Sequence, residues 1–153
     1  PSIPGIAGLN AAQKWFAELG RSTTGDSTDI SSHKAACDAA QQHIHSLENQ
    51  TTHRLIEAFQ DIPGVVIYGP AEKQPRVATL SINIGDLPAE QVGTMLDADY
   101  GLCVRAGLHC APVIHRDQGT LERNGTVRIA PGYFTDDEDI EQAIKGVSEL
   151  ATL

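Results

Sequence analysis

"VATLSINI", Val77 to Ile84, alternates apolar with polar side chains from Ala78 onward. The apolar set is Ala78, Leu80, Ile82 and Ile84, and the polar set is Thr79, Ser81 and Asn83. Because successive side chains of a strand point to opposite faces, the stretch predicts a strand with one buried and one polar face. Three further short apolar runs predict strands beside it: "GVVIYG" (64–69), "LCVR" (102–105) and "TVRIA" (126–130).

Helical patterns surround these strands. Apolar residues at helical spacing predict a first helix that ends at Gly20 as its C-cap, and a long second helix that ends before Pro63. A third helix follows Pro88 and ends at Gly101, and a capping box formed by Thr135 and Glu138 predicts the start of the last one. The predicted fold is α+β, a small, mostly antiparallel or mixed sheet covered by helices.

Composition narrows the function classes. The 153 residues include 11 Lys and Arg against 20 Asp and Glu, a net charge of −9. This acidity argues against a nucleic-acid or anionic-membrane surface. No apolar run approaches the roughly 20 residues that span a bilayer, and the first residues lack the pattern of a signal peptide. Three irregularly spaced cysteines predict no disulfide framework, which favours a reduced, cytoplasmic protein.

The stretch "RAGLHCAPVIH", Arg105 to His115, carries the candidate chemistry on a predicted loop. A metal site would use Cys103, His109, Cys110 and His115, but their spacing of C-x5-H-C-x4-H does not match the usual zinc patterns. Neighbouring side chains such as His109 and Cys110 also tend to diverge in extended backbone. Cys103, inside an apolar run, is expected to be a buried free thiol. We therefore expect no metal here.

Cys110 is the better candidate as a nucleophile, because Arg105 and His109 lie within five residues of it and thiolates form in positive surroundings. An inert loop thiol remains the alternative on spacing alone. Arg128, in a predicted strand, requires a carboxylate partner. That partner is either a structural Asp or Glu, or the carboxylate of an amino-acid substrate.

Together, "RAGLHCAP", "GTVRIAPGYFTDDEDI" and "IPGVVIYGP" resemble the C-terminal part of the pyridoxal-phosphate-dependent cysteine desulfurases, in the class V aminotransferase group of fold type I. The resemblance implies that Cys110 takes sulfur from the substrate and becomes a persulfide, while Arg128 binds the substrate carboxylate and Arg105 lines the same pocket. It makes His109 a catalytic residue that positions the loop or moves protons, and it leaves His115 as a loop residue.

The resemblance also predicts a domain organisation. Residues 1–20 would be a remnant helix that bridges to a large cofactor-binding domain, and residues 21–153 would form the C-terminal small domain. Pyridoxal phosphate would belong to the parent enzyme, with its binding lysine absent from this chain. The "SSHK" stretch (31–34) is interpreted as a capped helix start with a solvated Lys34.

The resemblance implies L-cysteine or a related amino acid as the ligand. It implies a sulfur-acceptor protein as a further partner and a homodimer as the state of the parent enzyme. Nucleic acid and membrane are not expected, and the chain alone should be inactive. Two alternatives stay open. One is a selenocysteine lyase or another enzyme of class V fold, and the other is a free-standing module that carries persulfide sulfur or binds a partner.

Overall fold

The computed structural model describes residues 1–23, 32–70 and 76–153. Two long helices, α1 (Ile3–Thr23) and α2 (His33–Gln60), precede strands β1 (Val65–Tyr68) and β2 (Leu80–Ile84). Helix α3 (Ala89–Tyr100), strand β3 (Arg105–Gly107) and the short helix α4 (Pro112–Asp117) follow. A single 3-10 turn (Leu121–Arg123) leads into strand β4 (Thr126–Ile129) and helix α5 (Asp137–Leu150). None of the helices described is long and apolar enough to cross a bilayer.

The four strands form one antiparallel sheet in the order β1-β2-β4-β3. Ile67 pairs with Ile82, and Ile82 with Val127, so their side chains share one face of the sheet. The fold class predicted from the sequence is confirmed.

The hydrophobic core covers that apolar face. It contains buried side chains from the C-terminal half of α2 and from α3 and α5, including Phe59, Leu96, Ile140 and Val147. Each helix buries a stripe at three- and four-residue spacing, as expected for a helix packed on a sheet. The opposite face of the sheet carries mostly polar side chains.

The chain divides into two compact units, residues 1–47 and 48–153, with the boundary inside α2. The second unit holds the whole sheet and the core. Within the first, α1 and α2 approach closely at Gly20, where an added Cβ would lie 1.8 Å from the carbonyl oxygen of Ala36. The predicted bridge from residues 1–20 to a further domain stays a prediction.

Several predicted boundaries are confirmed. Helix α2 ends at Gln60, ahead of Pro63, and Gly101 caps α3 in the left-handed conformation. The hydroxyl of Ser32 accepts a hydrogen bond from the Ala35 N–H at 3.1 Å, and Lys34 is solvent-exposed beside Asp38. The "SSHK" stretch is therefore a capped helix start, although Ser31 lies outside the described residues.

Two predicted element ends are wrong. Helix α1 continues to Thr23, because Gly20 keeps helical backbone and packs against α2 instead of ending the helix. The last helix is capped by Asp136 and Asp139, which exchange hydrogen bonds with each other's backbone N–H groups at 3.0 and 3.2 Å. The Thr135 hydroxyl instead accepts from the Gly132 N–H at 2.9 Å.

The strand predictions need four corrections. Strand β2 begins at Leu80, so Val77 and the two residues after it precede the strand. Strand β3 covers Arg105–Gly107 instead of 102–105, because only those residues pair with β4. Cys103 therefore lies outside the sheet and is exposed, not buried. Asn83 is buried, although it lies on the polar face of the sheet, and its Nδ2 donates to the Gly125 carbonyl at 3.0 Å.

Candidate active site

One row of polar side chains crosses the face of the sheet opposite the core. Tyr68 pairs with Ser81, Ser81 with Arg128, and Arg128 with Arg105. Directly opposite residues of neighbouring strands point to the same face, so these four side chains form a line across all four strands. The structure thereby brings Arg128 and Arg105, 23 positions apart in sequence, to adjacent places.

The two arginines of this row have no acidic partner among the described residues. Ion pairs among the described residues involve other cations, such as Lys34, Arg54, Arg116 and Arg123. Like charges directly opposite each other destabilise a sheet, and a carboxylate or other anion between them would relieve this repulsion. The arginine pair therefore concentrates positive charge at one place on an acidic chain.

Cys110 lies on a tight turn beside this pair. The Ala111 N–H donates to the Leu108 carbonyl at 2.8 Å across the turn. Its central residues, His109 and Cys110, have φ values of 51° and 60°, the left-handed conformation that type I′ turns usually assign to Gly or Asn. Non-glycine residues in this conformation store strain, which is often found at functional sites.

The turn leaves the Cys110 thiol exposed, with its Sγ 4.0 Å from Nη2 of Arg105. The loop predicted over Arg105–His115 is in fact three elements: strand β3, this turn, and the first part of α4.

His109 holds the turn against β4. Its Nε2 lies 3.0 Å from the Thr126 carbonyl oxygen, and its Nδ1 is buried without a hydrogen-bond partner. Burial lowers the pKa of His109 below its ordinary value, because the charged imidazolium loses hydration. The Thr126 carbonyl opposes this shift, whereas the positive charge of Arg128 adds to it.

His115 occupies a different position from the loop residue that the sequence predicted. It lies in α4 and is only 6% exposed. Its Nδ1 is 2.7 Å from the Thr120 hydroxyl, and its ring centroid is 5.8 Å from that of His109. Sequence reasoning missed this residue because no local pattern shows that α4 places His115 beside Thr120 and at the cavity lined by strand residues.

A cavity of about 310 Å³ opens between the polar row, the Cys110 turn and α4. Its lining includes Tyr68, Ser81, His109, His115, Thr126 and Arg128. Tyr68, Ser81 and Thr126 were not predicted as site residues; alternation places Ser81 on the polar face, but only the register shows what lies beside it.

The donor set of this cavity fits an anion. Its described lining contains Arg128 and several neutral polar groups, but no lysine and no carboxylate. Pyridoxal phosphate requires a lysine for its aldehyde and commonly an acidic group for its ring nitrogen, so these residues do not by themselves fit that cofactor. The described residues also contain no cluster of three or more His, Cys, Asp or Glu side chains arranged for a metal ion.

Comparison with known proteins relates this chain to a family. The family model described as "Aminotransferase class-V" matches residues 29–143. A probable cysteine desulfurase of Synechocystis is 33% identical over 105 residues, which cover 68% of this chain and 24% of that protein. A cysteine desulfurase of Pectobacterium carotovorum is 27% identical over 153 residues, covering 100% of this chain and 31% of that protein.

A solved structure shows the same fold. The apo cysteine desulfurase of Thermococcus onnurineus NA1 aligns with a TM-score of 0.67 and 26% identity, over 78% of this chain and 30% of that one. The chain thus spans about a quarter to a third of the length of these relatives.

Proposed function

Because the chain belongs to the aminotransferase class-V family and is similar to its cysteine desulfurases, we propose that it carries the sulfur-accepting half of such an enzyme. Cys110 accepts the sulfur, and Arg128 binds the carboxylate of L-cysteine. The observation that supports this most directly is the arginine pair, which lacks an acidic partner among the described residues and adjoins the Cys110 turn.

Arg128 is suited to bind the substrate carboxylate. It is half-buried in the middle of the polar row, where the sheet holds its backbone in place. A guanidinium presents two parallel N–H donors to a carboxylate, which fixes orientation as well as charge. Arg105, opposite it, adds positive charge beside Arg128, although it is exposed and is not among the residues that line the cavity.

Cys110 is suited to accept sulfur because its thiol is exposed on a turn that other elements hold in place. Its Sγ forms a bond to the substrate sulfur as the carbon–sulfur bond of cysteine breaks. The electron pair of that bond stays on carbon, which takes up a proton to give alanine. The products are alanine and a persulfide on Cys110, which a sulfur-acceptor protein would then receive.

His109 positions this nucleophile. Its hydrogen bond to the Thr126 carbonyl links the strained turn to β4. With Nε2 engaged and Nδ1 buried, His109 contributes mainly by keeping Cys110 in place.

Pyridoxal phosphate is the general cofactor of this family, and it would supply the electron withdrawal that releases sulfur from cysteine. We propose that its lysine and acidic contacts come from residues other than those described around this cavity. A parent enzyme with a further cofactor-binding domain, acting as a homodimer, would supply them.

The test uses the native protein that contains this chain, assayed for alanine formation from L-cysteine with added pyridoxal phosphate. The Arg128→Ala substitution should raise the KM for cysteine by roughly 10- to 100-fold, the loss expected for a charged hydrogen-bonded pair. Arg116→Ala is the matched control, because that exposed arginine pairs with Asp117 and should leave KM unchanged. An unchanged KM in Arg128→Ala would overturn the proposed carboxylate site.

The same assay separates the alternatives. A higher kcat/KM for selenocysteine than for cysteine would favour a selenocysteine lyase. No alanine formation, combined with sulfur uptake at Cys110 from a donor protein, would favour the free-standing carrier.

A further inference from the structure

His115 is a buried imidazole that the proposed sulfur transfer does not use. It is 6% exposed, lines the cavity in front of Arg128, and comes from α4, not from the strands. A polar side chain is costly to bury unless its hydrogen bonds are satisfied. The partners of its two ring nitrogens therefore indicate what it does.

One ring nitrogen is fixed by Thr120. The Thr120 hydroxyl donates to the His115 carbonyl oxygen at 3.3 Å, and that oxygen can only accept. If the hydroxyl proton serves that carbonyl, the Thr120 oxygen accepts from the Nδ1–H of His115 across the 2.7 Å contact, and this is the tautomer on which the proposal below rests. A neutral imidazole protonated on Nδ1 carries its lone pair on Nε2.

The other nitrogen remains available. Within the described part of the chain, Nε2 of His115 has no hydrogen-bond partner, and it is not among the fully enclosed unpaired atoms. It therefore keeps access to the cavity that it lines together with Arg128. His109 differs, since its Nε2 bonds Thr126 and its unpaired Nδ1 is enclosed.

The cavity thus combines a cation with an acceptor. Arg128 offers only N–H donors, and His115 offers a lone pair held by Thr120. A ligand that matches both has a carboxylate and, on the same small skeleton, a proton donor such as an ammonium or a thiol. A bare carboxylate would satisfy only Arg128.

We propose that Nε2 of His115 accepts a hydrogen bond from the ligand whose carboxylate Arg128 binds, and thereby selects carboxylates that bear a neighbouring proton donor. The inference rests on the proposed function, because it takes the Arg128 carboxylate site as its second contact. It adds a specificity-determining residue that the Arg–Cys motif does not include.

The first measurement is the protonation of His115 in the ligand-free native protein that contains this chain. Long-range ¹H–¹⁵N spectra at about pH 8.5, where ordinary imidazoles are neutral, distinguish the two ring tautomers. The expected result is a proton on Nδ1 and a lone pair on Nε2. A proton on Nε2 would overturn the proposal without reference to any ligand.

The second measurement compares three carboxylates by titration followed in the same spectra. Propionate has no further donor, L-alanine has an ammonium, and 3-mercaptopropionate has a thiol. At least one donor-bearing ligand should bind about 3- to 10-fold more tightly than propionate and shift the Nε2 resonance of His115. The stronger of the two identifies which donor His115 accepts from.

Two variants test whether His115 causes this preference for donor-bearing carboxylates. His115→Phe should remove it. Thr120→Val should also remove it, because the valine leaves the imidazole in place but no longer contacts Nδ1, so the proton can move to either ring nitrogen. Arg128→Ala should weaken all three ligands alike.

The outcomes separate the two proposals. Binding that depends on Arg128 but shows no preference for donors contradicts the role of His115 and leaves the carboxylate site intact. If none of the carboxylates binds in an Arg128-dependent way, the carboxylate site itself is wrong, and the His115 proposal with it.

Discussion

At the residue scale, the main feature is the pair of left-handed residues at the nucleophile. His109 and Cys110 adopt φ values of 51° and 60° with side chains that disfavour them, each at a cost of about 1–2 kcal/mol. The hydrogen bond from His109 to the Thr126 carbonyl offsets part of that strain. Substitution at position 109 should therefore affect the geometry of Cys110 before it affects chemistry.

The lowered pKa of His109 predicts a pH-dependent stability. As pH falls through the ordinary imidazole value of about 6.5, the unfolded chain takes up the proton before the folded chain does. The contribution of His109 is thus fully present above that pH and decreases below it. Replacement by Gln, which keeps a donor for Thr126 but does not titrate, should reduce the loss of stability between about pH 8 and pH 5.

Urea unfolding of both proteins at the two pH values provides the measurement, since the other titrating groups largely cancel in the difference. The groups that face His109 are Arg128, Arg105 and His115, and they are unchanged in the variant. An equal or larger loss in His109→Gln would contradict the account.

At the element scale, the contact of α1 with α2 depends on the missing side chain of Gly20. A helix-interior glycine replaced by alanine normally gains roughly 0.5–1 kcal/mol of stability. At Gly20 the new Cβ would lie 1.8 Å from the Ala36 carbonyl oxygen, so Gly20→Ala should instead lower the free energy of unfolding. Gly8→Ala, on the same helix with nothing within 4 Å, is the matched control and should raise it.

Circular dichroism during thermal unfolding checks both variants. If Gly20→Ala were as stable as Gly8→Ala, the close approach of α1 and α2 would be wrong.

Helices α3 and α5 are joined by the Tyr100 hydroxyl, which donates to Oε2 of Glu149 at 2.6 Å. This hydrogen bond to the carboxylate, with desolvation and negative charge adding to it, raises the pKa of Tyr100 from 10.0 to about 12. An absorbance titration should therefore show one of the three tyrosines ionising late. In Glu149→Gln that step should return toward the ordinary value, and a late step that persists would contradict the contact.

At the scale of the whole molecule, the sequence predicted the strands and helices themselves better than the contacts between them. The alternation around Ile82 places β2 and its buried face, and Gly101 and Pro63 mark helix ends, because these signals are local. The row of Tyr68, Ser81, Arg128 and Arg105 depends on cross-strand register, which no local pattern encodes.

The candidate site was predictable to the same extent. Cys110, Arg105 and Arg128 were singled out from residue type and spacing, and the resemblance gave them their roles; the structure places the two arginines side by side and Arg105 near Cys110. His115 was interpreted as a loop residue because its burial depends on α4 packing beside Thr120. The exposure of Cys103 was missed because the strand starts three residues later than the apolar pattern suggests.

The sulfur on Cys110 is the most direct test of the account. The native protein would be incubated with L-cysteine and pyridoxal phosphate, trapped with an alkylating reagent, digested and analysed by mass spectrometry. We predict one additional sulfur atom on Cys110 and none on Cys103, with sulfur uptake abolished in Cys110→Ser and retained in Cys103→Ser. Undiminished persulfide formation in Cys110→Ser would contradict the central claim.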